Sequence, residues 1–459
     1  MTTPNDHKSA AMGRDSIWKL LIRFSGPAII SMTVASTYSL VDAIFVGRLG
    51  TQPLAAMIIA FPIMLAFMSI AVGTGVGASS LIARRLGAGD KQGADYAAGV
   101  TITLTLIIGG LMTAIVLPNM DGLLRLLGAN DPAVLDLARR YLSILTIFAF
   151  TNSFFLIATT IIRAEGSPTF PSVVIVIGAI ANIILDPIMI YALDMGIAGA
   201  AYATVIARSI GSALLVWYFV FGKTTFKFKP GYFIPKPKIL LEIYRTGLAS
   251  MVQMSAASII LMLANWIAIG YSEIHLAVMG TLFRLSSFAF MPSIGLSQGV
   301  LPLIGYNYGA QLKDRVGEVI VKAGKAALIL GVGCALAALV IPTQLMSLFN
   351  SDPEFLALGT TATRIFAIGF LSVGLQNVLG SLFQGLGKGT AALVVASSRQ
   401  IIFLLPAILI LPKIWGETGL WISFPLANTL AIIMTLVWTA YEFRHLHIKF
   451  HLRYPHIKA

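Results

Sequence analysis

Charge is scarce in this chain: only 11% of its 459 residues are Asp, Glu, Lys or Arg. That is too few to cover the surface of a water-soluble protein of this length. Cysteine is scarcer still. The one residue, Cys334, lies in an apolar run, so no internal disulfide can form and the thiol reads as a small packing group. Histidine is confined to tails and loops, as His7, His275, His445, His447, His451 and His456. The last four cluster at the C-terminal end, where a solvated basic tail is expected rather than a metal site. No intramembrane His/Cys ligand set, GxSxG elbow or phosphate-cradling glycine loop occurs. These gaps argue against enzyme chemistry and against a cofactor.

What is abundant is apolar length. Hydrophobic residues make up 57% of the chain and its mean hydropathy is +0.86. A bilayer about 30 Å thick needs roughly 20 apolar residues per helix, and the backbone must satisfy itself in lipid. The runs are continuous rather than alternating, so the expected class is an all-α integral membrane protein. About twelve spans are expected, at 17–49, 53–84, 94–117, 133–163, 168–192, 197–222, 238–270, 275–306, 315–341, 355–385, 389–412 and 417–441. The first sixteen residues are polar and the run that follows is too long for a signal-peptide core, so it reads as the first span.

The net charge of +13 does not form one patch of the kind that binds nucleic acid. One set of alternate loops holds Arg84, Arg85, Lys91, Arg163, Lys223, Lys227, Lys229, Lys236, Lys238, Lys313, Arg315 and Lys388. Lys8 and Arg14 at one terminus join this set, as do Arg444, Lys449, Arg453 and Lys458 at the other. In the opposite loops Arg48, Arg125 and Lys413 are offset by seven acids, such as Asp121 and Glu417. By the positive-inside rule both termini are expected in the cytoplasm of a cell (inner) membrane.

The two halves repeat. Gly26 matches Gly247, Asp131-Pro132 matches Asp352-Pro353, and Gly166 matches Gly387, all 221 positions apart. Gly87-Ala88 matches Gly309-Ala310, while Gly196 and Gly199 match Gly416 and Gly419, within one residue of that spacing. Residues 1–222 are thus expected to form an N-lobe, 223–237 a basic cytoplasmic linker, and 238–459 a C-lobe with its tail. Six spans per half give both lobes one orientation, related by a pseudo-two-fold axis along the membrane normal. Parallel repeats of this kind build alternating-access transporters.

Ionisable groups within spans mark functional sites by default. Two acids qualify, Asp42 in the first span and Asp186 in the fifth. Asn182 lies one turn from Asp186 on the same helical face, and Thr204 in the sixth span returns to that level. Two carboxylates, an amide and a hydroxyl at one height suit Na⁺ or a shared proton. The repeat is an internal control: Asp42 corresponds to Leu263 and Thr204 to Phe424, and Asp186 to Pro406 or Ala407, so the fold does not require this cluster. The bland alternative is a buried hydrogen-bonded pair that stiffens the lobe. Pro187 is expected to kink the fifth span and free carbonyls, and Pro27 to kink the first as a switch or as a tolerated membrane proline. In the second half Arg284, Met291, Gln298, Asn307 and Arg399 are candidate cavity residues, with structural roles as the competing reading. Gly73, Gly75 and Gly77 read as a small-residue face for close helix packing.

These residues resemble the multidrug and toxic compound extrusion (MATE) family, in its DinF-like branch. The likeness rests on Gly26-Pro27-Ala28 with Asp42, Gly75 to Ser80 running on to Gly87, and Asn182 through Asp186-Pro187. Phe290-Met291-Pro292, Gln298-Gly299, Gly305-Tyr306-Asn307-Tyr308-Gly309 and Arg399-Gln400 add to it. It implies two six-helix lobes around a V-shaped cavity and antiport of amphipathic, often cationic drugs against H⁺ or Na⁺. The protein would act as a monomer among membrane lipids. In that branch the cation site falls on Asp42, Asn182, Asp186 and Thr204. Unlike the NorM-like and eukaryotic branches, no acid occupies the C-lobe spans. A lipid-linked precursor flippase of the same superfamily is the alternative, kept open by Arg284 and Arg399. A membrane enzyme or simple pore fits less well.

Overall fold

The computed structural model describes residues 6–222 and 224–448, and no strand occurs among them. Lys223, Lys449, His451, Arg453, His456 and Lys458 lie outside the described residues, as do the side chains of His7 and Lys8. A short helix, α1 (Asp6–Arg14), precedes α2 (Ile17–Gly47), α3 (Thr51–Gly87) and α4 (Lys91–Leu126). Then come α5 (Pro132–Ile147), α6 (Ala149–Ala164), α7 (Thr169–Pro187) and α8 (Gly196–Phe221). The second half holds α9 (Pro237–Ile269), α10 (Glu273–Gly309), α11 (Lys313–Val340) and the short α12 (Pro342–Ser347). It ends with α13 (Pro353–Gly385), α14 (Gly389–Ser397) and α15 (Leu405–His445).

Among the described residues ten helical stretches are each long and apolar enough to cross a membrane, and α5 with α6 makes one more, bent by 53°. The stretch Gly389–His445 is 57 residues long. At 1.5 Å per residue it would reach about 85 Å, far beyond one bilayer. The backbone leaves helical geometry at Trp415 and Gly416, so this stretch is two spans, which brings the total to the expected twelve.

The repeat survives as matching turns. Asp131 caps α5 by accepting from the Ala133 amide, and Asp352 caps α13 by accepting from the Glu354 and Phe355 amides. In each case proline fills the first helical position, where no amide hydrogen is needed. Gly196 and Gly416 take nearly the same left-handed φ, 55° and 57°, at equivalent points of the two halves. Only glycine adopts such angles cheaply, so these two landmarks are positions where backbone shape leaves little choice.

The halves meet at the end that carries the basic loops. There α2 packs on α10, and α3 packs on both α9 and α10. Glycines bring the backbones together: a Cβ on Gly77 would lie 2.0 Å from the Ile243 carbonyl oxygen, and one on Gly87 2.0 Å from that of Tyr306. From the other side, a Cβ on Gly309 would lie 2.1 Å from the Arg84 carbonyl oxygen. Hydrogen bonds follow the same seam, from Ser25 Oγ to the Leu296 carbonyl at 3.2 Å and from Ser80 Oγ to the Gln384 carbonyl. Among the described residues, such bonds between halves run from the basic end to about mid-span, at Ser255–Ser69 and Gln298–Met32, and no further.

The segment between the halves is docked on the first of them. Tyr96 Oη donates to the Ile234 carbonyl at 2.6 Å, and Thr103 Oγ1 to that of Phe233 at 2.7 Å. The fully buried Glu165, just past α6, accepts from the Thr225 amide at 2.9 Å, from the Thr224 and Thr225 hydroxyls, and from Tyr218 Oη. Burial raises the Glu165 carboxyl above the usual carboxylate range, against the pull of those hydrogen bonds. Glu165→Ala would leave several buried donors unpaired. We expect a loss of about 2–3 kcal/mol of stability and faster proteolysis within 224–236. A cleavage rate equal to that of the unmodified protein would show that Glu165 does not hold this segment.

Candidate functional site

The four sequence candidates come together in the first half. Asp42 near the end of α2 is 8% exposed, Asn182 on α7 is 2% exposed and Asp186 is fully buried. Asn182 Nδ2 donates to Asp186 Oδ1 at 3.4 Å and to Thr204 Oγ1 of α8 at 3.4 Å. Both contacts are long for hydrogen bonds. Asp42 lies within electrostatic reach of Asp186, because α2 packs along α7. Asp42 Oδ1, Asp186 Oδ2 and Asn182 Oδ1 are buried with no hydrogen-bond partner. Among the described residues neither carboxylate forms an ion pair. Orphaned buried oxygens on three side chains are unusual, since buried acceptors are nearly always satisfied. Their chemistry fits a hard cation or a proton. Among the described residues no three or more His, Cys, Asp or Glu are grouped so as to hold a metal ion.

Pro187 ends α7 directly after Asp186, and residues Ile188–Ala192 continue as a π-helix, with the Leu193 amide donating to the Ile188 carbonyl. Single-turn π segments recur at functional sites. α2 runs through Pro27 without interruption from Ile17 to Gly47.

Three neighbours were not anticipated. Arg208, one turn beyond Thr204, donates to Tyr38 Oη at 2.7 Å and lies 4.5 Å from the Phe155 ring centroid. It is thereby held without pairing to either acid. Tyr38, Asn182, Thr204 and Arg208 line a void of about 10 Å³, close to the size needed for one water molecule. Tyr141 of α5 lies within electrostatic reach of both carboxylates. Arg208 carried a readable signal, as the one charged residue between 196 and 221. Tyr38 did too, at the i, i+4 spacing from Asp42. Tyr141 had none.

The second-half candidates separate. Gln298 accepts from Arg163 Nη1, and its amide points at Met32 Sδ 3.7 Å away, so it braces the two halves against each other. Arg163, expected in a loop, is 3% exposed and leaves Nε and Nη2 without partners. Asn307 is fully buried at the basic end, donating to the Met12 carbonyl at 3.1 Å and accepting from Arg315 Nε at 3.0 Å. Arg284 is exposed and Met291 half-buried, and neither belongs to the wall of the second-half cavity. Arg399 does: it lines a space of about 300 Å³ together with Phe283 and Phe290.

This arrangement has relatives. The model of the MatE family matches residues 27–188 and 249–409, one segment in each half. The multidrug export protein MepA of Staphylococcus haemolyticus is 27% identical over 425 residues, covering 92% of this chain and 93% of its own. Among solved structures, an outward-facing multidrug resistance MATE family transporter of the MOP superfamily is 29% identical with a TM-score of 0.91. The match covers 98% of this chain and all of that one. A MATE crystal structure in a bent conformation is 30% identical with a TM-score of 0.90, over 97% of this chain and 99% of that one.

Proposed function

The chain belongs to the MatE family of multi-pass membrane transporters, and from that premise we propose that it exports amphipathic, often cationic drugs or toxins by alternating access, driven by inward flow of H⁺ or Na⁺. The observation that carries this reading is the buried Asp42–Asp186 pair, with free oxygens and no basic partner. In hydrocarbon an uncompensated carboxylate costs several kcal/mol. A site of this kind binds H⁺ or Na⁺ strongly and releases it when the lobe conformation admits water. Asp42 and Asp186 would carry the charge that is cancelled and restored, while the Asn182 Oδ1 and Thr204 hydroxyl would complete the oxygen set. The π segment after Pro187 marks a local change of helical geometry beside Asp186, and Pro27 gives α2 a point at which to bend. The relative solved in a bent conformation fits that role.

In this reading the lobes are residues 1–222 and 238–459, joined by 223–237, in a monomer of a cell membrane. The basic end faces the cytoplasm, both termini included. The glycine-lined seam then closes the cytoplasmic side, a reading supported by the likeness to a relative described as outward-facing. The MepA relatives, named as multidrug exporters, support the substrate class.

The test is substrate movement in proteoliposomes under imposed ΔpH and ΔpNa in turn. One of the two gradients is expected to raise the initial rate at least tenfold over the ungraded control. A rate indifferent to both would refute antiport.

A further inference from the structure

The second half contains a cation that the coupling site does not use. Arg399 lies in a π-helical stretch, Ser398–Leu404, between α14 and α15. It opens onto a cavity of about 300 Å³ walled by Phe283, Phe290, Phe366, Phe370 and Phe424. The rings are mutually packed, with Phe366 and Phe424 centroids 4.8 Å apart and Phe290 and Phe370 centroids 5.7 Å apart. No Asp or Glu lines this space. Among the described residues the Arg399 guanidinium appears in no ion pair or hydrogen bond, in contrast to Arg208 and Arg315. Two further polar groups of the same wall are unsatisfied: Gln400 Oε1 on a side chain 8% exposed, and Ser286 Oγ on one 5% exposed.

The half-buried Arg399 guanidinium among phenyl rings calls for a counter-charge, since an unpaired cation in apolar surroundings is costly and its fork geometry matches a carboxylate in two parallel hydrogen bonds. Buried unsatisfied hydroxyl and amide groups at the same wall call for polar partners. The volume is at the small end of the range for ligand pockets. We propose that this cavity is a substrate pocket of the C-lobe for small aromatic carboxylates, with Arg399 holding the anionic group, Ser286 and Gln400 its polar surroundings, and the phenyl rings the aromatic body. The transporter would then accept anionic or zwitterionic molecules on one lobe while the other lobe carries the coupling acids. The inference rests on the export reading for its physiological meaning, but the pocket itself can be probed without transport.

The experiment uses the full chain in phosphatidylcholine nanodiscs, with calorimetric titration of 2-naphthoate and of 2-naphthylmethylamine, which share a ring system and differ in charge. The carboxylate is expected to bind at least tenfold more tightly than the amine. Arg399→Gln should weaken the carboxylate at least tenfold and leave the amine unchanged, with Arg399→Lys in between. Equal affinities of the unmodified protein for the two probes would overturn the proposal without any variant, whatever the folding of Arg399→Gln. So would equal loss for both probes in a folded variant, or naphthoate binding unaffected by it. A repeat in discs containing phosphatidylglycerol separates a lipid headgroup from a free anion: unchanged naphthoate affinity supports the pocket, and displacement by the lipid overturns it. No ion gradient enters these measurements. Charge-selective binding without gradient-driven export would sink the coupling reading alone, and gradient-driven export without charge preference would sink the pocket alone.

Discussion

Asn in place of Asp42 or Asp186 is expected to leave the protein inserted and folded while reducing gradient-driven export at least ~100-fold, the upper range of a coupling free energy of about 1–3 kcal/mol. The substitution keeps shape and hydrogen-bonding capacity at a position that is at most 8% exposed. It removes the one property the cycle needs, a charge that a cation can cancel. A ligand moves a conformational equilibrium only through its differential affinity for the two states. With an amide at either position, that difference collapses. Stability should move the other way, or not at all. An unpaired buried carboxylate pays a desolvation penalty that a neutral amide avoids, so the melting temperature is expected to hold or rise. A merely stiffening pair would give the reverse pattern, with lower stability and partial export. Asn182→Ala and Thr204→Val each remove one neutral oxygen and are expected to cost only about 5- to 10-fold, in line with roughly 1 kcal/mol for a single polar contact. Resistance of cells expressing each variant, with uptake in proteoliposomes, reads the series. Undiminished export by either Asp variant would end the coupling assignment.

Much of this arrangement could be read from the chain because lipid imposes simple rules. Span count followed from apolar length, and the break at Trp415-Gly416 falls between the expected spans 389–412 and 417–441. The repeat could be read because its landmarks include Gly166 and Gly387, Gly196 and Gly416, all with positive φ, and two Asp-Pro helix starts, whose backbone roles tolerate few substitutes. Asp42, Asn182, Asp186 and Thr204 could be read from depth and helical spacing. Contacts that depend on how helices rotate against each other were not legible. Arg163 looked like a loop cation because it ends α6, yet its side chain turns inward and crosses to Gln298. Asn307 looked like a cavity residue and is instead part of a network with Met12 and Arg315, which only the docking of α1 creates. Arg399 reads from sequence slightly more as a structural cation than as a cavity group, since π-helical rotation of its segment leaves no mark in composition.

The seam between the lobes offers the second large effect. Gly77 and Gly309 touch main-chain carbonyl oxygens of the other half, where an added Cβ would stand 2.0 and 2.1 Å away. Real side-chain carbons do not approach so closely, and a backbone carbonyl in a helix cannot rotate aside as a side chain could. Valine at either position should therefore penalise the state closed at the basic end while leaving each lobe's own fold intact. Overpacking of this kind costs about 1–3 kcal/mol or more, and at 1.4 kcal/mol per factor of ten the closed population falls roughly 5- to 100-fold or more relative to its alternative. Gly280→Val is the control, because nothing lies within 4 Å of a Cβ there. The readout is a single cysteine at Thr246, a residue 1% exposed beside the Gly73–Gly247 contact whose hydroxyl has no hydrogen bond to lose. With Cys334→Ser as background, membrane-impermeant maleimide applied from the basic side should modify Thr246→Cys many times faster in Gly77→Val than in Gly280→Val. Export should fall in the former and persist in the latter, since a transporter that cannot close one end cannot complete its cycle. Equal protection of Thr246→Cys in both backgrounds would mean that these glycines pack the resting lobes without gating the passage between them.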